Sequence, residues 1–181
     1  MTNTFETTVL VVEDQRQLAE AYTAILETRY EVRTALGGME ALEKIDDEVD
    51  VVLLDRRMPG MSGDEVLSEF VERGLSPKVA MLTAVEPDTD IVDMPFDDYR
   101  RKPIDNEELL GLVETLLRWN EYDAHSQEFF RLAAKKRALE LADKETTDSY
   151  HELVERMEEQ REYVEETLDD VLGDSGLDTD E

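Results

Sequence analysis

Three carboxylates, a hydroxyl and an ammonium stand at the ends of short, mostly apolar runs in this chain, and together they could accept a phosphoryl group. Glu13 and Asp14 follow Thr8–Val12 (TVLVV), and Asp55 follows Val51–Leu54 (VVLL). Thr83 follows residues 78–82 (KVAML), and Lys102 closes residues 97–102 (DDYRRK). Three carboxylates in one crevice stay ionised cheaply only if something positive joins them. Carboxylate oxygens with waters and a backbone carbonyl suit a hard octahedral cation, Mg²⁺. Such an ion would neutralise incoming phosphoryl oxygens and leave Asp55 as the nucleophile that forms an acyl phosphate. Lys102 supplies a compact positive charge for that group, and Thr83 a hydroxyl that donates to it. Singly, each residue has an ordinary role: Glu13-Asp14 as a helix cap, Thr83 as a strand end, Lys102 as a solvated lysine. Their joint placement at four strand ends carries the functional reading.

The elements that must position them alternate. Residues 15–29 place Leu18, Tyr22, Ile25 and Leu26 at helical spacing, one apolar stripe on a polar cylinder. Residues 30–35 (YEVRTA) read as a brief strand, and Gly37-Gly38 turns into a short helix carrying Ala41, Leu42 and Ile45. After Asp55, Met58-Pro59-Gly60 turns the chain, and Ser62 with Glu65 reads as a capping box for a helix lined by Val66, Leu67, Phe70 and Val71. Residues 85–96 hold two prolines and allow only a turn or two of helix. Residues 97–102 make a polar last strand suited to a sheet edge. Asp105 caps a final helix whose buried face is Leu109, Leu112, Val113, Leu116 and Leu117. Five strands alternating with helices predict a doubly wound α/β fold, a parallel sheet covered on both faces. In such sheets the site lies beyond the carboxyl ends of the strands, where the four groups above are found.

Charge sets the class. The chain of 181 residues carries 47 Asp+Glu against 19 Lys+Arg, a formal net charge of −28, and no cysteine. Disulfide scaffolds, thiolate metal sites and cysteine nucleophiles are excluded. So acidic a surface repels itself and phosphate backbones in dilute buffer, and it resembles that of proteins from extreme halophiles, where molar salt screens the repulsion. No secretory segment or apolar run near the length of a membrane span is evident, so a cytoplasmic protein with no membrane partner is expected.

On VVED at 11–14, LLDRRMPGMSG at 53–63, MLTA at 81–84 and DDYRRKP at 97–103, residues 8–120 resemble the receiver domains of two-component response regulators. The resemblance implies a flavodoxin-like (βα)5 domain phosphorylated on Asp55 by a sensor histidine kinase. It also implies Mg²⁺ held by Glu13, Asp14, Asp55 and the backbone carbonyl of Arg57. Thr83 and Tyr99 would be the switch pair, and Lys102 the phosphate-binding lysine, in a Lys-Pro bond usually found cis. By the same resemblance the domain is no enzyme for a separate substrate; it transfers the phosphoryl group to itself and loses it slowly. Arg56-Arg57 stands where the family more often has apolar or amide residues. Either Arg57 reaches the phosphoryl group, or the two arginines balance acidic neighbours. The 83–102 segment is a few residues short for the family, so the fourth helix, part of the face many receivers use for dimerisation, should be curtailed. A metal-dependent phosphatase of similar fold would need an acid/base Asp at position 57, where Arg stands.

Beyond the receiver, residues 112–172 contain no Gly or Pro and are rich in helix formers. Tyr150, Val154, Met157, Arg161, Val164, Leu168 and Val171 recur at steps of four and three. Phe129, Leu132, Lys136 and Leu139 follow the same spacing in another frame. Two helices, a hairpin or a bent pair, are expected, with one continuous coiled-coil-like helix as the alternative and Ser149 as cap of the second. Residues 121–172, on FFRLAAKKRALELADKE at 129–145, are similar to the HalX domain found behind receivers in halophilic archaea. Residues 1–7 and 173–181 read as a flexible lead and a frayed acidic end. The stripe predicts self-association, a homodimer through residues 147–172. Arg131, Lys135, Lys136 and Arg137 form the one basic cluster, readable as a DNA-phosphate patch or, more simply, as partners for acids on the neighbouring helix. No helix-turn-helix or zinc-finger signature accompanies it. His125 and His151 lack ligand spacing, and Trp119 and Tyr122 should cover the junction between receiver and helices.

Overall fold

Val12 pairs with Leu54 across two parallel strands, so the residues that follow, Glu13 and Asp55, leave the sheet side by side. The computed structural model describes residues 6–174, with side chains as far as residue 166. One sheet holds β1 (Thr8–Val12), β2 (Glu31–Ala35), β3 (Val51–Leu54), β4 (Lys78–Thr83) and β5 (Asp98–Arg101) in the order β2-β1-β3-β4-β5, all parallel. This is the doubly wound fold expected. β1, β3 and β4 are buried along their whole length, which is why they read as continuous apolar runs rather than alternating ones.

Two helical layers flank the sheet. α1 (Arg16–Leu26) and α4 (Asn106–Trp119) set Tyr22, Leu26, Leu109, Leu112 and Leu116 against Val9, Val11, Val51 and Leu53. On the other face α2 (Gly38–Lys44) and α3 (Gly63–Glu72) set Ala41, Leu42, Val66, Leu67 and Phe70 against Leu10, Val12, Val52 and Leu54. Between β4 and β5 the chain makes only a 3₁₀ turn, Thr89–Ile91, which cannot cover the β4–β5 end of that face. The cover comes from later in the chain. Leu132, Ala138 and Leu139 of α5 (Ala124–Leu141) and Leu153 of α6 (Asp148–Asp174) belong to the same core cluster as the strands. Each such leucine contributes roughly 1.5–3 kcal/mol by leaving water.

α5 and α6 form an antiparallel hairpin: His125 near the start of α5 meets Gln160, and Glu140 near its end meets Tyr150. Asp143, in the left-handed region at φ 57°, helps reverse the chain. The cap of α6 is Thr147 rather than Ser149, its hydroxyl accepting from the Tyr150 amide at 3.2 Å. The packed stripe also differs from the expected one. Leu153 is fully buried, Tyr150 and Met157 pack beside it, and Val154 is half-buried. Arg161 is half-exposed and pairs along its own helix with Glu158 at 3.1 Å and Glu165 at 3.6 Å. The reason is geometric: α6 is wrapped onto α5 and the sheet, so its buried residues need not follow a two-helix seam. The side chains of Leu168 and Val171 lie outside the described residues, as does most of the end expected to fray, residues 173–181, of which 173 and 174 still belong to α6.

Candidate functional site

The crevice beyond the strand ends is built by register and closed by one close backbone approach. The Asp55 amide donates to the Val12 carbonyl at 3.0 Å, and the Glu13 amide to the Ala35 carbonyl at 3.0 Å, extending the ladder one residue past each strand. Gly63 at the start of α3 lies against the Asp55 backbone; a Cβ there would stand 2.2 Å from the Asp55 carbonyl oxygen. Gly60, at φ 78°, supplies the left-handed turn just before. The predicted capping box is present, with Ser62 Oγ accepting from the Glu65 amide and the Glu65 carboxylate from the Ser62 amide.

Glu13 and Asp55 are buried, Asp14 half-buried, and carboxylate oxygens of all three lie within 4.8 Å of one another. Lys102 joins them: its Nζ is 3.0 Å from Asp55 Oδ2 and also donates to Glu13 Oε2. Glu13 accepts a second bond from the Gln15 amide at 3.0 Å. Burial pushes the Glu13 carboxyl above the usual range, against the lowering influence of Lys102. Burial alone would lower Lys102, but its bonds to Glu13 and Asp55 outweigh that and hold it above the ordinary lysine value. A cavity of about 330 Å³ opens over these groups, lined also by Asp14, Leu18, Arg57, Thr83 and Val85. Converging hard oxygen donors beside an open cavity fit a divalent cation of the Mg²⁺ kind.

Thr83 and Tyr99 are both buried and meet at one residue. The Thr83 hydroxyl accepts from the Val85 amide at 3.2 Å, and the Tyr99 hydroxyl donates to the Val85 carbonyl at 2.7 Å. Burial raises Tyr99, while nearby Arg56 works the other way. Arg56 was legible only as a charge balance. Its guanidinium is mostly buried and forks onto Asp64, Nε to Oδ1 at 3.0 Å and Nη2 to Oδ2 at 3.1 Å. It also pairs with Asp90 of the 3₁₀ turn and lies in reach of the Tyr99 hydroxyl. Burial opposes its charge, but these partners raise it above the ordinary arginine value. Arg57 is exposed and lines the cavity, its amide 3.4 Å from Asp55 Oδ1. The bond between Lys102 and Pro103 is cis.

Three of the four cations of the α5 basic cluster reach the β4–β5 edge of the receiver rather than acids on the neighbouring helix. Arg131 pairs with Asp97 at 3.1 Å and Arg137 with Asp98 at 2.6 Å. Lys135 is 3% exposed and donates to the carbonyls of Val92 at 2.8 Å and Met94 at 2.6 Å. Lys136 pairs with Glu140 of its own helix. The polar strand β5 is indeed at the sheet edge, yet Asp97 and Asp98 are buried there, where Lys78 and Arg100 of the sheet and Arg131 and Arg137 of α5 bring them cations. Trp119 stacks on Phe130 at 5.3 Å and Tyr122 meets it edge-on at 5.2 Å, closing the junction as expected. His125 and His151 are exposed, and among the described residues Glu13, Asp14 and Asp55 are the acidic group whose geometry suits a metal.

Family models match two stretches: a response regulator receiver domain at residues 9–114 and a HalX domain at residues 118–180. A Haloferax volcanii protein that bears a transcriptional-regulator name is 51% identical over 141 residues, 77% of this chain and 24% of that protein. The CpxR homolog of Haemophilus influenzae, named a transcriptional regulatory protein, is 37% identical over 114 residues, 61% of this chain and 50% of that one. The chain therefore spans about a quarter to a half of these curated relatives. Among solved structures, the response regulator TrrA of Thermotoga maritima, in complex with Mg²⁺ and beryllofluoride, aligns with TM-score 0.55 and 35% identity over 61% of this chain and 98% of that one. A CheY-like receiver domain of Methanospirillum hungatei aligns with TM-score 0.58 and 28% identity over 64% and 96%. Among the described residues no helix is long and apolar enough to cross a membrane.

Proposed function

Because this chain belongs to the response regulator receiver family and carries a HalX domain behind its receiver, we propose that it is a cytoplasmic two-component switch whose Asp55 takes a phosphoryl group from a sensor histidine kinase. The phosphorus–nitrogen bond of the kinase phosphohistidine breaks as a bond to an Asp55 carboxylate oxygen forms, and the imidazole nitrogen keeps the electron pair. Glu13, Asp14, Asp55 and the Arg57 carbonyl are the groups that would hold Mg²⁺, which when bound offsets the negative charge of the phosphoryl oxygens. Lys102 supplies a fixed cation already shared between Glu13 and Asp55, and Thr83 turns its hydroxyl toward the new oxygens. Departure of the Thr83 hydroxyl from the Val85 amide frees the segment that Tyr99 also holds. The protein acts on no separate substrate; it modifies itself and slowly reverts.

The observation that carries this reading is Lys102 bridging two buried carboxylates from adjacent strand ends. Output passes through the helical hairpin. The homodimer expected through residues 147–172 is confined in this proposal to the stretch past Tyr163, because Tyr150, Leu153 and Met157 already pack into their own chain. A DNA-binding output through Arg131, Lys135, Lys136 and Arg137 draws support from the Haloferax relative's name, but those cations face groups of this chain. We do not adopt it.

The test is chemical. In molar KCl with Mg²⁺ and a small phosphodonor, the full chain should gain one acid-stable, alkali-labile phosphate on Asp55. Asp55→Asn should abolish the label and Asp14→Ala should greatly reduce it. Mapping of the label to a Ser, Thr or His would overturn the assignment.

A further inference from the structure

A second cavity, of about 350 Å³, lies between the receiver and the hairpin at the amino ends of the strands, the opposite end of the sheet from Asp55. The end of α3 and the turns leading into β4 and β5 form one wall, and α5 forms the other. Part of the lining is apolar. Phe70 is buried behind it, and Val71, which also lines it, is 57% exposed. The rest is polar, with Lys78, Arg131 and Asp97 as its charged groups. Asp97 is fully engaged: Oδ1 accepts from Arg131 Nη2 at 3.1 Å and Oδ2 from the Val79 amide at 2.8 Å. Arg131 is divided between Asp97 and Glu128, the latter outside the lining. Lys78 is different. Its side chain is 8% exposed, yet among the described residues its ammonium hydrogen-bonds only Gln127 Oε1, at 2.6 Å, and stands 3.7 Å from Asp97. An ammonium has three hydrogens to donate, so this buried cation keeps donors that the protein does not answer.

The lining thus sets two cations against one carboxylate, in a chain whose net charge is −28. We propose that this cavity binds a small carboxylate with an apolar body, the carboxylate on Lys78 and the hydrocarbon or aromatic part against Phe70 and Val71. One excess positive charge matches a monoanion. A phosphate dianion would exceed it, and neither phosphate nor chloride has an apolar part to cover the apolar wall. Charge-assisted hydrogen bonds from a buried ammonium act at contact distance, so they persist in molar salt, where screening sets in at about 3 Å. A ligand seated there touches α3 and α5 together and ties the hairpin to the receiver. The site is separate from the crevice at Asp55, and the proposal does not depend on the reading of Asp55 as phosphoacceptor.

The experiment titrates the full chain, isotopically labelled for NMR in molar KCl, with phenylacetate as the probe. The amides of Val71, Lys78, Gln127 and Arg131 should shift together and saturate at about millimolar probe, the affinity expected of so small a ligand, while those of Asp14 and Asp55 stay fixed. Acetate, which lacks the apolar body, and phenethylammonium, which reverses the charge, should each bind about tenfold more weakly or worse. Lys78→Met should weaken phenylacetate about tenfold or more, the worth of a hydrogen bond to a charged group. Should that variant fail to fold, Gln127→Glu and Val71→Glu replace it, at half-buried and exposed helix positions. The first occupies the Lys78 ammonium and the second sets a like charge beside the ligand, so both should weaken binding. Binding of phenethylammonium or acetate as tight as that of phenylacetate overturns the proposal. So do shifts centred on Asp14 and Lys102, unchanged affinity in the two glutamate variants, or no saturable shift at about ten times the expected concentration.

Discussion

The ammonium of Lys102 lies 3.0 Å from Oδ2 of Asp55, 47 residues earlier in the chain, and hydrogen-bonds Glu13 from the same nitrogen. With 12% of its side chain exposed, Lys102 is the cation that allows two buried carboxylates to remain together. Lys102→Met should therefore destabilise the fold by about 3–5 kcal/mol, the range for removing one partner of a buried ion pair. Denaturant unfolding with and without Mg²⁺ checks this. Mg²⁺ should restore part of the loss, since it neutralises the same carboxylates, and a variant as stable as the parent would show the pair to be unimportant.

Two glycines should respond oppositely to alanine. A Cβ on Gly63 meets the Asp55 carbonyl oxygen at 2.2 Å and Arg56 Cα at 2.8 Å, and backbone cannot step aside cheaply. Gly63→Ala is expected to cost about 1–3 kcal/mol and to slow labelling of Asp55. Gly111 sits within α4 with nothing near its Cβ position. Gly111→Ala should stabilise by about 0.5–1 kcal/mol through helix propensity alone. Thermal melts of the two variants decide both.

The hairpin should behave as part of the receiver core. Leu139 is fully buried in the cluster that holds β1, β3 and β4 residues. Leu139→Ala should destabilise the whole chain by about 2–5 kcal/mol in one cooperative transition. A chain ending at residue 120 should melt well below the full protein. Equal melting temperatures would mean that the receiver is complete without α5.

Two lysines should titrate in opposite directions. Burial, reinforced by Arg131, lowers Lys135 to about 8, so between about pH 8 and 10.5 the folded chain releases a proton that the unfolded chain retains. Stability relative to Lys135→Met should rise across that window, by at most roughly 3 kcal/mol. Lys102 is raised above 10.5, so its contribution is full below that pH and is lost as the pH climbs through its higher folded value. Stability relative to Lys102→Met should be level to pH 10.5 and fall beyond. Urea titrations at several pH values measure both differences.

Folding should depend on salt. A formal charge of −28 repels itself across a Debye length of roughly 30 Å at 0.01 M salt. The melting temperature should climb steeply from dilute buffer to molar KCl. A flat profile would remove the argument from acidity.

Much of the molecule was readable one residue at a time because local pattern and local environment coincide. Strands buried on both faces must be apolar throughout, so β1, β3 and β4 announce themselves, and a parallel sheet places whatever follows them at one edge. That is how Glu13, Asp14, Asp55, Thr83 and Lys102 could be gathered without coordinates. The capping box at Ser62 and the cap at Asp105 are equally local, set within four residues and independent of the rest of the fold, and at Asp105 the structure adds the return bond from Glu108. What only the tertiary structure decided is where the charges of the hairpin go. Arg131, Lys135 and Arg137 look like a basic patch because their partners, Asp97, the carbonyls of Val92 and Met94, and Asp98, lie 34 to 43 residues away. The role of Arg56 was hidden for the same reason, since Asp90 and Tyr99 reach it only once the short β4–β5 connection has folded over. A charge carries no periodicity that names its partner, and the buried face of α5 is set by a sheet made elsewhere in the chain. Apolar pattern is written along the sequence; the pairing of buried charges exists only in three dimensions.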